Sequence, residues 1–383
     1  MSSQSPKPQG LSPRVYWLTR AVHALAPLLT EVSKLETLAV RERVSDIAVD
    51  RPIYICGVPR SGTTISLEMF SQHPSVATHR YSDFSLPFLP VWAPHITSLL
   101  GLPRMSSPVE RSHRDRVMIT SDSPECVEEM FWERYFDNLH DEARCNVLDA
   151  ETSNPAFEAF YRDHIRKLLA VRGGARYLTK SNCCVLRLRY LLRVFPDVRI
   201  LLYIRNPIDH VASIVKQDRL FGILGRKNPR RALMSRLHGH HHFGSARIFN
   251  HLGDAEHVAQ VRRLAEAGRS PVAWALQWAA TYGYVADQLE ADPALAAVTK
   301  IVRYEDLCAD PRPTIDGILA HAELDGGAFQ AVRDQYANKL SLPDYYKPEF
   351  EARDLADVIE ATQETARRFG YEDLSDAANR AVA

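Results

Sequence analysis

One short segment constrains the fold of this chain more than any other. Residues 53–55 are β-branched or aromatic, as in a buried strand, and a loop bounded by Gly57 and Gly62 follows them. Thr63 and Thr64 then begin a segment that predicts a helix. A strand, a glycine-bounded loop and a helix in this order turn backbone N–H groups and the positive helix end toward one point. The segment therefore predicts an anion-binding loop in an α/β protein.

The spacing of this loop is similar to that of nucleotide-hydrolysing P-loops, with one difference. A P-loop places a lysine directly after its last glycine. Here Thr63 stands at that position, and the nearest cation is Arg60, inside the loop. The displaced cation leaves open which anion is held and whether the transferred group is phosphoryl.

Predicted strands alternate with helices along the chain. The strands are expected at 52–57, 75–79, 176–180, 198–204 and 298–303. The helices are expected near 14–46, 63–72, 124–136, 154–171, 184–194, 208–217, 254–267, 271–290, 312–322, 327–337 and 353–369. Such alternation predicts a P-loop-like parallel sheet with helices on both faces, together with N-terminal helices and a helical C-terminal extension. We expect residues 1–13 to be disordered and 14–383 to form one domain, with a core at about 52–322.

Composition excludes several classes of function. The 47 Lys and Arg residues balance 47 Asp and Glu residues, so no global positive field indicates nucleic acid as a partner. The six cysteines are scattered, which predicts reduced thiols in a cytoplasmic protein rather than a disulfide framework or a zinc site. The apolar stretch 15–29 is interrupted by Arg20, His23 and Pro27. We therefore expect an amphipathic helix there and no transmembrane span.

A second segment predicts another anion-binding group. Residues 200–204 are continuously apolar, as in a strand buried on both faces, and Arg205 follows them. Ser213 lies two helical turns further on, where its hydroxyl could reach back toward the strand end. Ligands of open parallel sheets bind beyond the carboxyl ends of the strands, and a guanidinium binds phosphate oxygens bidentately. Arg205 and Ser213 are thus a candidate anion site; the alternative is a structural ion pair between Arg205 and Asp209.

Four motifs in this order resemble those of sulfotransferases that use 3′-phosphoadenosine-5′-phosphosulfate (PAPS), of the bacterial type. The first two are the loop and the segment that runs from Arg205 to Ser213. The strand that contains Lys180 and the segment 302–311 resemble the family's lysine-bearing strand and its C-terminal strand and helix. The similarity extends from about residue 52 to 322, with a weaker echo at 369–371. The loop residues that carry it are Pro59, Arg60, Ser61, Gly62, Thr63 and Thr64.

The resemblance implies a donor site and a reaction. The loop would bind the 5′-phosphosulfate, Arg205 and Ser213 the 3′-phosphate, and Tyr304 would approach the adenosine end. Arg60 would neutralise charge on the leaving phosphate, and Lys180 would assist at the sulfuryl oxygens. Because a sulfuryl group carries less charge than a phosphoryl group, no metal would be required. The implied reaction is direct in-line transfer to a hydroxyl or amine, with 3′,5′-bisphosphorylated adenosine (PAP) as product.

The residue that deprotonates the acceptor remains open. Many family members place a His two residues after the strand lysine, but here Asn182 occupies that position and cannot take a proton. Others use a Glu after the phosphosulfate helix, and the corresponding segment offers Asp83 and His79. We favour Asp83, then His79, with Glu125 at a predicted helix start as a further candidate.

Residues 237–243 include four histidines in five positions. Such a tract can bind zinc, but no second cluster accompanies it at the spacing of a structural site. We interpret it as part of a polar, acceptor-facing insertion at about 218–253, with another insertion at about 80–125. The nearby Arg226, Arg230, Arg231 and Arg236 favour an anionic acceptor or approach to it.

The sequence leaves the acceptor open: a small molecule, a carbohydrate, a lipid or a peptide would all suit the motifs. It leaves the oligomeric state open as well. Two other functions also fit: a P-loop kinase that uses ATP and Mg²⁺, or a nucleotide-binding scaffold without catalysis. Thr63 at the lysine position disfavours the kinase.

Overall fold

The computed structural model describes residues 12–115, 117–342 and 349–381. The strands of these residues are β1 (Ile53–Cys56), β2 (Val76–Ala77), β3 (Val109–Glu110), β4 (Met118–Ile119), β5 (Arg176–Lys180), β6 (Arg199–Ile204) and β7 (Thr299–Arg303). Five of them form a parallel sheet in the order β2-β5-β1-β6-β7, and β3 pairs with β4 in an antiparallel ribbon.

Helices surround the sheet. The α-helices of the described residues are α1 (Pro13–Ala24), α2 (Ala26–Ala39), α3 (Arg41–Val44), α4 (Thr63–Phe70), α5 (Ala93–Leu99), α6 (Glu129–Tyr135), α7 (Pro155–Arg172), α8 (Leu188–Val194), α9 (Pro207–Lys227), α10 (Pro229–Leu237), α11 (Ala255–Glu266), α12 (Ser270–Ala291), α13 (Pro293–Val298), α14 (Tyr304–Ala309), α15 (Pro311–Ala322), α16 (Gln330–Lys339), α17 (Ala352–Arg368) and α18 (Ser375–Ala381). Short 3₁₀ turns cover Tyr81–Ser85, Asn182–Leu186 and Gly244–Ala246. Within these residues, no helix combines the length and the apolar character that a membrane crossing needs.

The side chains of β6 show why residues 200–204 are all apolar. Ile200, Leu202 and Ile204 belong to the larger core, on the side of α7, α9 and α12. Leu201 and Tyr203 point to the opposite face and join the smaller core with α4 and α15. Alternate residues of a strand face opposite sides, so a sheet covered on both faces leaves no position for a polar residue. The predicted parallel sheet with helices on both faces is confirmed.

The register of the sheet brings four strand ends to one edge. Ile55 of β1 pairs with Lys180, the last residue of β5, and Cys56 pairs with Leu202 of β6. Ile204, at the end of β6, pairs with Arg303 at the end of β7. The loop after β1, Lys180 and the residues that follow β6 and β7 therefore meet beyond the carboxyl edge, where parallel sheets bind ligands.

Three predicted elements differ from the structure. The helix expected at 14–46 is divided into α1, α2 and α3, and the helix expected at 124–136 begins only at Glu129. The insertion expected at 218–253 is largely helical, because α9 continues to Lys227 and α10 follows at once. Asn228 separates them and caps α10, since its side chain accepts a hydrogen bond from the backbone of Arg231 at 3.3 Å. The disorder expected for 1–13 falls almost entirely on residues outside the described ranges.

Candidate functional site

The loop between β1 and α4 has a backbone shape that its residues specify. Gly62 has φ +100°, and a Cβ placed on it would lie 2.5 Å from Cδ2 of Tyr304, so both conformation and space require glycine. Arg60 has φ +80°, which is strained for a residue with a side chain. The backbone N–H groups of the first turn of α4 lack intrahelical acceptors and face the same space.

Two cavities meet at this loop. The loop cavity, of about 480 Å³, is lined by Arg60, Gly62, Thr63, Thr64, Arg111, Asp115, Arg205, Tyr304 and Lys339, among others. The histidine cavity, of about 240 Å³, includes Tyr81, His113, Glu125, Lys180, Asn182, Arg231, His238, His240 and His242 in its wall. Arg60, Thr63, Thr64 and Arg111 belong to both walls. A group that binds to these shared residues in the loop cavity would therefore be next to the histidine cavity.

A buried ion cluster occupies the junction of the two cavities. Arg60 donates from Nη1 to Asp115 Oδ2 at 2.9 Å and from Nε to Ser213 Oγ at 3.4 Å. Arg111 donates from Nε to Asp115 Oδ1 at 2.8 Å and from Nη1 to Thr64 Oγ1 at 3.3 Å. Burial acts to raise the pKa of Asp115, but Arg111 and Arg60 outweigh it and hold that pKa well below its usual range. Asp115 is thus an internal carboxylate held between two arginines of the loop cavity.

The wall of the loop cavity also includes Arg205, one residue of the second predicted anion group. Arg205 is buried, and its guanidinium lies 5.4 Å from the centroid of the Tyr304 ring. The turn after Arg205 is fixed by Glu305, which accepts from the backbone N–H of Asn206 at 2.9 Å. Tyr371 donates to the other oxygen of Glu305 at 2.6 Å. Residues from β7 onward therefore hold the turn that carries Arg205.

Of the remaining predicted donor-site residues, Ser213 contacts Arg60, as described, and Pro59 lines the histidine cavity. Ser61 is fully buried beneath the loop, and its side chain lines neither cavity. Asp209, the alternative partner considered for Arg205, accepts from Arg380 at 3.2 Å. Arg60, Arg205 and Tyr304 thus line one cavity, whereas Ser213 is buried, lines neither cavity and contacts Arg60.

The wall of the histidine cavity joins a cation to a carboxylate. Lys180 ends β5 there, and Asn182 accepts from Thr63 Oγ1 at 3.3 Å through Oδ1. Glu125 lines the same cavity from an irregular segment, where its backbone N–H donates to the carbonyl of His79 at 3.0 Å. Burial acts to raise the pKa of Glu125, but the charge of Lys180 and further contacts lower it overall. Glu125 is therefore an ionised carboxylate at neutral pH that faces the histidine cavity.

His79 and Asp83, the favoured candidates for the general base, lie elsewhere. Asp83 accepts from Nη2 of Arg172 at 2.6 Å, from Nδ1 of His79 at 3.1 Å and from the backbone of Arg80 at 3.0 Å. Burial would raise the pKa of Asp83, but His79 and Arg172 lower it to about 2. His79 is buried against His164, and neither residue lines a cavity described above. Their side chains fix the loop after β2, and of the three candidates Glu125 is the one that reaches the cavity.

An outer groove extends the histidine cavity toward the protein surface. Its volume is about 620 Å³, and it shares Tyr81, Arg231, His238 and His240 with the histidine cavity. Its other walls are mostly apolar and hydroxyl side chains from α1, from the 3₁₀ turn at 81–85 and from residues 94–105, together with Arg104, which pairs with Asp122. Among the four arginines of the basic segment, Arg231 lines the histidine cavity, whereas Arg236 donates to the carbonyl of Ser245 at 3.1 Å. Of the four arginines that were predicted to make the entrance to the acceptor site basic, Arg231 is the one that lines these cavities.

Sequence reasoning missed Arg111, Asp115, Tyr81 and His113. Arg111, His113 and Asp115 lie between two short strands that have no strong alternation, Tyr81 begins the 3₁₀ turn at 81–85, and no motif surrounds them. The crowding of charged residues at 110–116 was the one available signal. It could not tell which of these side chains turn inward.

Comparisons with known proteins bear on the family and the fold of this chain. Residues 52–242, about half of the chain, match the model of the sulfotransferase family. Sulfotransferase STF9 from Mycobacterium avium is 16% identical over 88% of this chain and 81% of its own, with a TM-score of 0.52, which shows a shared fold. Sulfotransferase STF1 from Mycobacterium tuberculosis H37Rv is 15% identical over 92% and 84%, with a TM-score of 0.46. Among curated proteins, none matches the sequence significantly.

Proposed function

Because the chain belongs to the sulfotransferase family, we propose that it transfers the sulfuryl group of PAPS to a hydroxyl or amine of an acceptor. The observation that carries this proposal is the junction at Arg60, where a cavity with two buried arginines meets a cavity with Lys180 and an ionised Glu125. This arrangement suits a reaction in which an anionic donor and a proton-losing acceptor approach from opposite sides.

The loop cavity is the proposed donor site. Its volume of about 480 Å³ lies within the range of small-molecule sites. The first N–H groups of α4 and Arg60 would bind the phosphosulfate. Arg205 would bind the 3′-phosphate, beside the Tyr304 ring. The presence of Arg60 and Arg205 in the wall of one cavity supports a donor with two anionic groups.

The transfer itself follows from the residues at the junction. The acceptor oxygen forms a bond to sulfur while the bond between sulfur and the bridging phosphate oxygen breaks, and PAP leaves with that electron pair. Glu125 would take the acceptor proton, since it is ionised and faces the histidine cavity. Lys180, Arg60 and Arg111 would stabilise the charge that develops on the sulfuryl and phosphate oxygens. Removal of one such charge-stabilising donor typically lowers kcat by about 10²–10³-fold.

The acceptor would enter through the outer groove. The histidine cavity is small, at about 240 Å³, but it continues into the groove of about 620 Å³. A molecule longer than the inner cavity could place its reacting hydroxyl near Glu125 and leave the remainder along α1. Phe221, Met234 and Phe243 offer apolar contact, and Arg231 offers a contact for a polar or anionic substituent.

Ligand-induced thermal stabilisation tests the donor. PAP should raise the Tm of the wild-type protein, and Arg205→Ala should abolish most of that shift. Arg199→Ala is the matched control, because Arg199 begins the same strand at the opposite end and pairs with Glu323. A shift with ATP and Mg²⁺ but none with PAP would overturn the proposal in favour of a kinase.

Transfer of labelled sulfuryl from PAPS into a fractionated metabolite extract tests the reaction and identifies the product by mass spectrometry. Arg60→Ala should abolish transfer. A protein that binds PAP but labels no acceptor would be a nucleotide-binding scaffold, and the proposed reaction would be wrong.

A further inference from the structure

His241 turns away from the histidine cavity, although its neighbours His240 and His242 line it. Its Nε2 lies 2.5 Å from Glu133 Oε1, and the Nε2 of His140 lies 3.4 Å from the same oxygen. The two imidazole rings stack with centroids 4.0 Å apart. We propose that Glu133, His140 and His241 bind one zinc ion, at a site separate from the point of transfer.

The donor set is one that zinc prefers. Two imidazole nitrogens and one carboxylate oxygen make a three-residue zinc site, with a water in the fourth position. The three ligand atoms lie within 4.8 Å of one another. Tetrahedral zinc spaces its ligand atoms roughly 3.3 Å apart, so the separation of His140 from Glu133 already fits. The contact between His241 and Glu133 would lengthen by about 0.8 Å, which a small side-chain rotation supplies.

The site is built into the protein rather than formed by exposed side chains. The side chains of Glu133, His140 and His241 are 19%, 14% and 8% exposed. Glu129 lies one helical turn before Glu133 and is held by Arg187 at 2.6 Å. Its carboxylate accepts from Nε2 of His140 at 2.7 Å, and this is the same nitrogen that would bind zinc. Zinc binding would therefore replace this hydrogen bond, and Glu129 would stay paired with Arg187.

A close backbone approach brings the histidine segment to α6. Gly239 has φ +77°, and a Cβ placed on it would lie 2.4 Å from the Cβ of Glu129. This contact places His241 over Glu133, one turn further along α6. Glu133 and His140 thus lie about 100 residues before His241, which explains why the spacing of the histidine tract alone gives no sign of partners.

Zinc at this site would fix a wall of the histidine cavity. His240 and His242 flank His241, and both line that cavity. An ion bound to His241 would anchor the segment between them to α6 and would leave their own rings directed inward. The ion would take no part in sulfuryl transfer, so the inference stands independently of the proposed reaction.

Zinc binding by the full chain tests the proposal, after removal of any affinity tag and dialysis against a chelator. Titration against a chromophoric zinc chelator should show one zinc per chain. Glu133→Gln, which keeps the side-chain volume, and His241→Ala should each weaken zinc binding at least tenfold. His257→Ala, in α11, is a control for nonspecific binding and should leave the affinity unchanged.

Cobalt substitution supplies a readout that does not depend on the variants. Co²⁺ in a four-coordinate site of nitrogen and oxygen ligands should give strong visible absorption, and the Glu133→Gln protein should lack it. The proposal would be overturned if the wild type bound no stoichiometric zinc. It would also be overturned if Glu133→Gln and His241→Ala bound zinc as tightly as the wild type. The cluster would then be a hydrogen-bonded network of imidazoles and carboxylates.

Discussion

Asp115→Asn should lower the free energy of unfolding of the ligand-free protein and at the same time strengthen PAP binding. The Asp115 side chain is 7% exposed and bridges Arg60 at 2.9 Å and Arg111 at 2.8 Å. Both arginines line the proposed donor site. A bound anion would therefore compete with the Asp115 carboxylate for the same two guanidinium groups.

The magnitude follows from the burial of this cluster. Removal of one partner from a buried ion pair costs about 3–5 kcal/mol. Asparagine keeps the shape and one hydrogen-bond acceptor, so we expect a loss of about 2 kcal/mol in the free energy of unfolding without ligand. Bound PAP would supply the missing negative charge and recover that loss. Since about 1.4 kcal/mol corresponds to a factor of ten, PAP affinity should rise about 30-fold.

Calorimetric titration with PAP and denaturant unfolding measure both effects on the same samples. Asp354→Asn is the matched control, because Asp354 pairs with Arg269 at 2.6 Å, far along the chain in α17. It should leave PAP affinity unchanged. If Asp115→Asn bound PAP no more tightly than the wild type, the idea that PAP and the Asp115 carboxylate compete for the two arginines would be wrong. Asp115 would then serve only to hold Arg60 in place.

Three further outcomes follow from the site and its surroundings. Glu125→Gln should lower kcat by about 10²–10⁴-fold with PAP affinity unchanged, as measured by labelled transfer and calorimetry. Gly62→Ala should weaken PAP binding at least tenfold, since the new Cβ meets Tyr304 at 2.5 Å, whereas Gly101→Ala, with φ +57° and open space, should not. Asp83, whose pKa is lowered from 3.8 to about 2 in the folded protein, should contribute about 2 kcal/mol of stability above pH 4 and lose it between pH 4 and 2. Asp83→Asn should abolish this pH dependence of stability, as measured by urea unfolding. If the variant still lost the same stability between pH 4 and 2, Asp83 would not be its source.

The sheet could be predicted from sequence because its signals are local. The run 200–204 is apolar throughout since both faces of β6 are covered, and the loop from Gly57 to Gly62 needs glycine for its own backbone. The helix α9 is longer than predicted, since Gly222 and Gly225 weaken the helical signal of its second half and only the cap at Asn228 marks where the next helix begins.

The candidate base could not be chosen from sequence for a different reason. Asp83, His79 and Glu125 all belong to irregular segments, where no periodicity indicates the direction of a side chain. Their directions depend on partners far along the chain: Arg172 binds Asp83, which does not line the cavity, whereas Glu125 and Lys180 both line it. Such pairings become visible only in three dimensions.

The contact of Glu305 with both Asn206 and Tyr371 bears on how the protein matures during translation. The turn that presents Arg205 is made early, yet the residues that hold it emerge from the ribosome about 100 and 165 residues later. A nascent chain can pair β1, β5 and β6 before then, but β7 and the helices after it complete the pocket. The proposed donor site would therefore be completed only at the end of synthesis, and a chain that stops short of Tyr371 would lack the contact that helps Glu305 to hold the turn after Arg205.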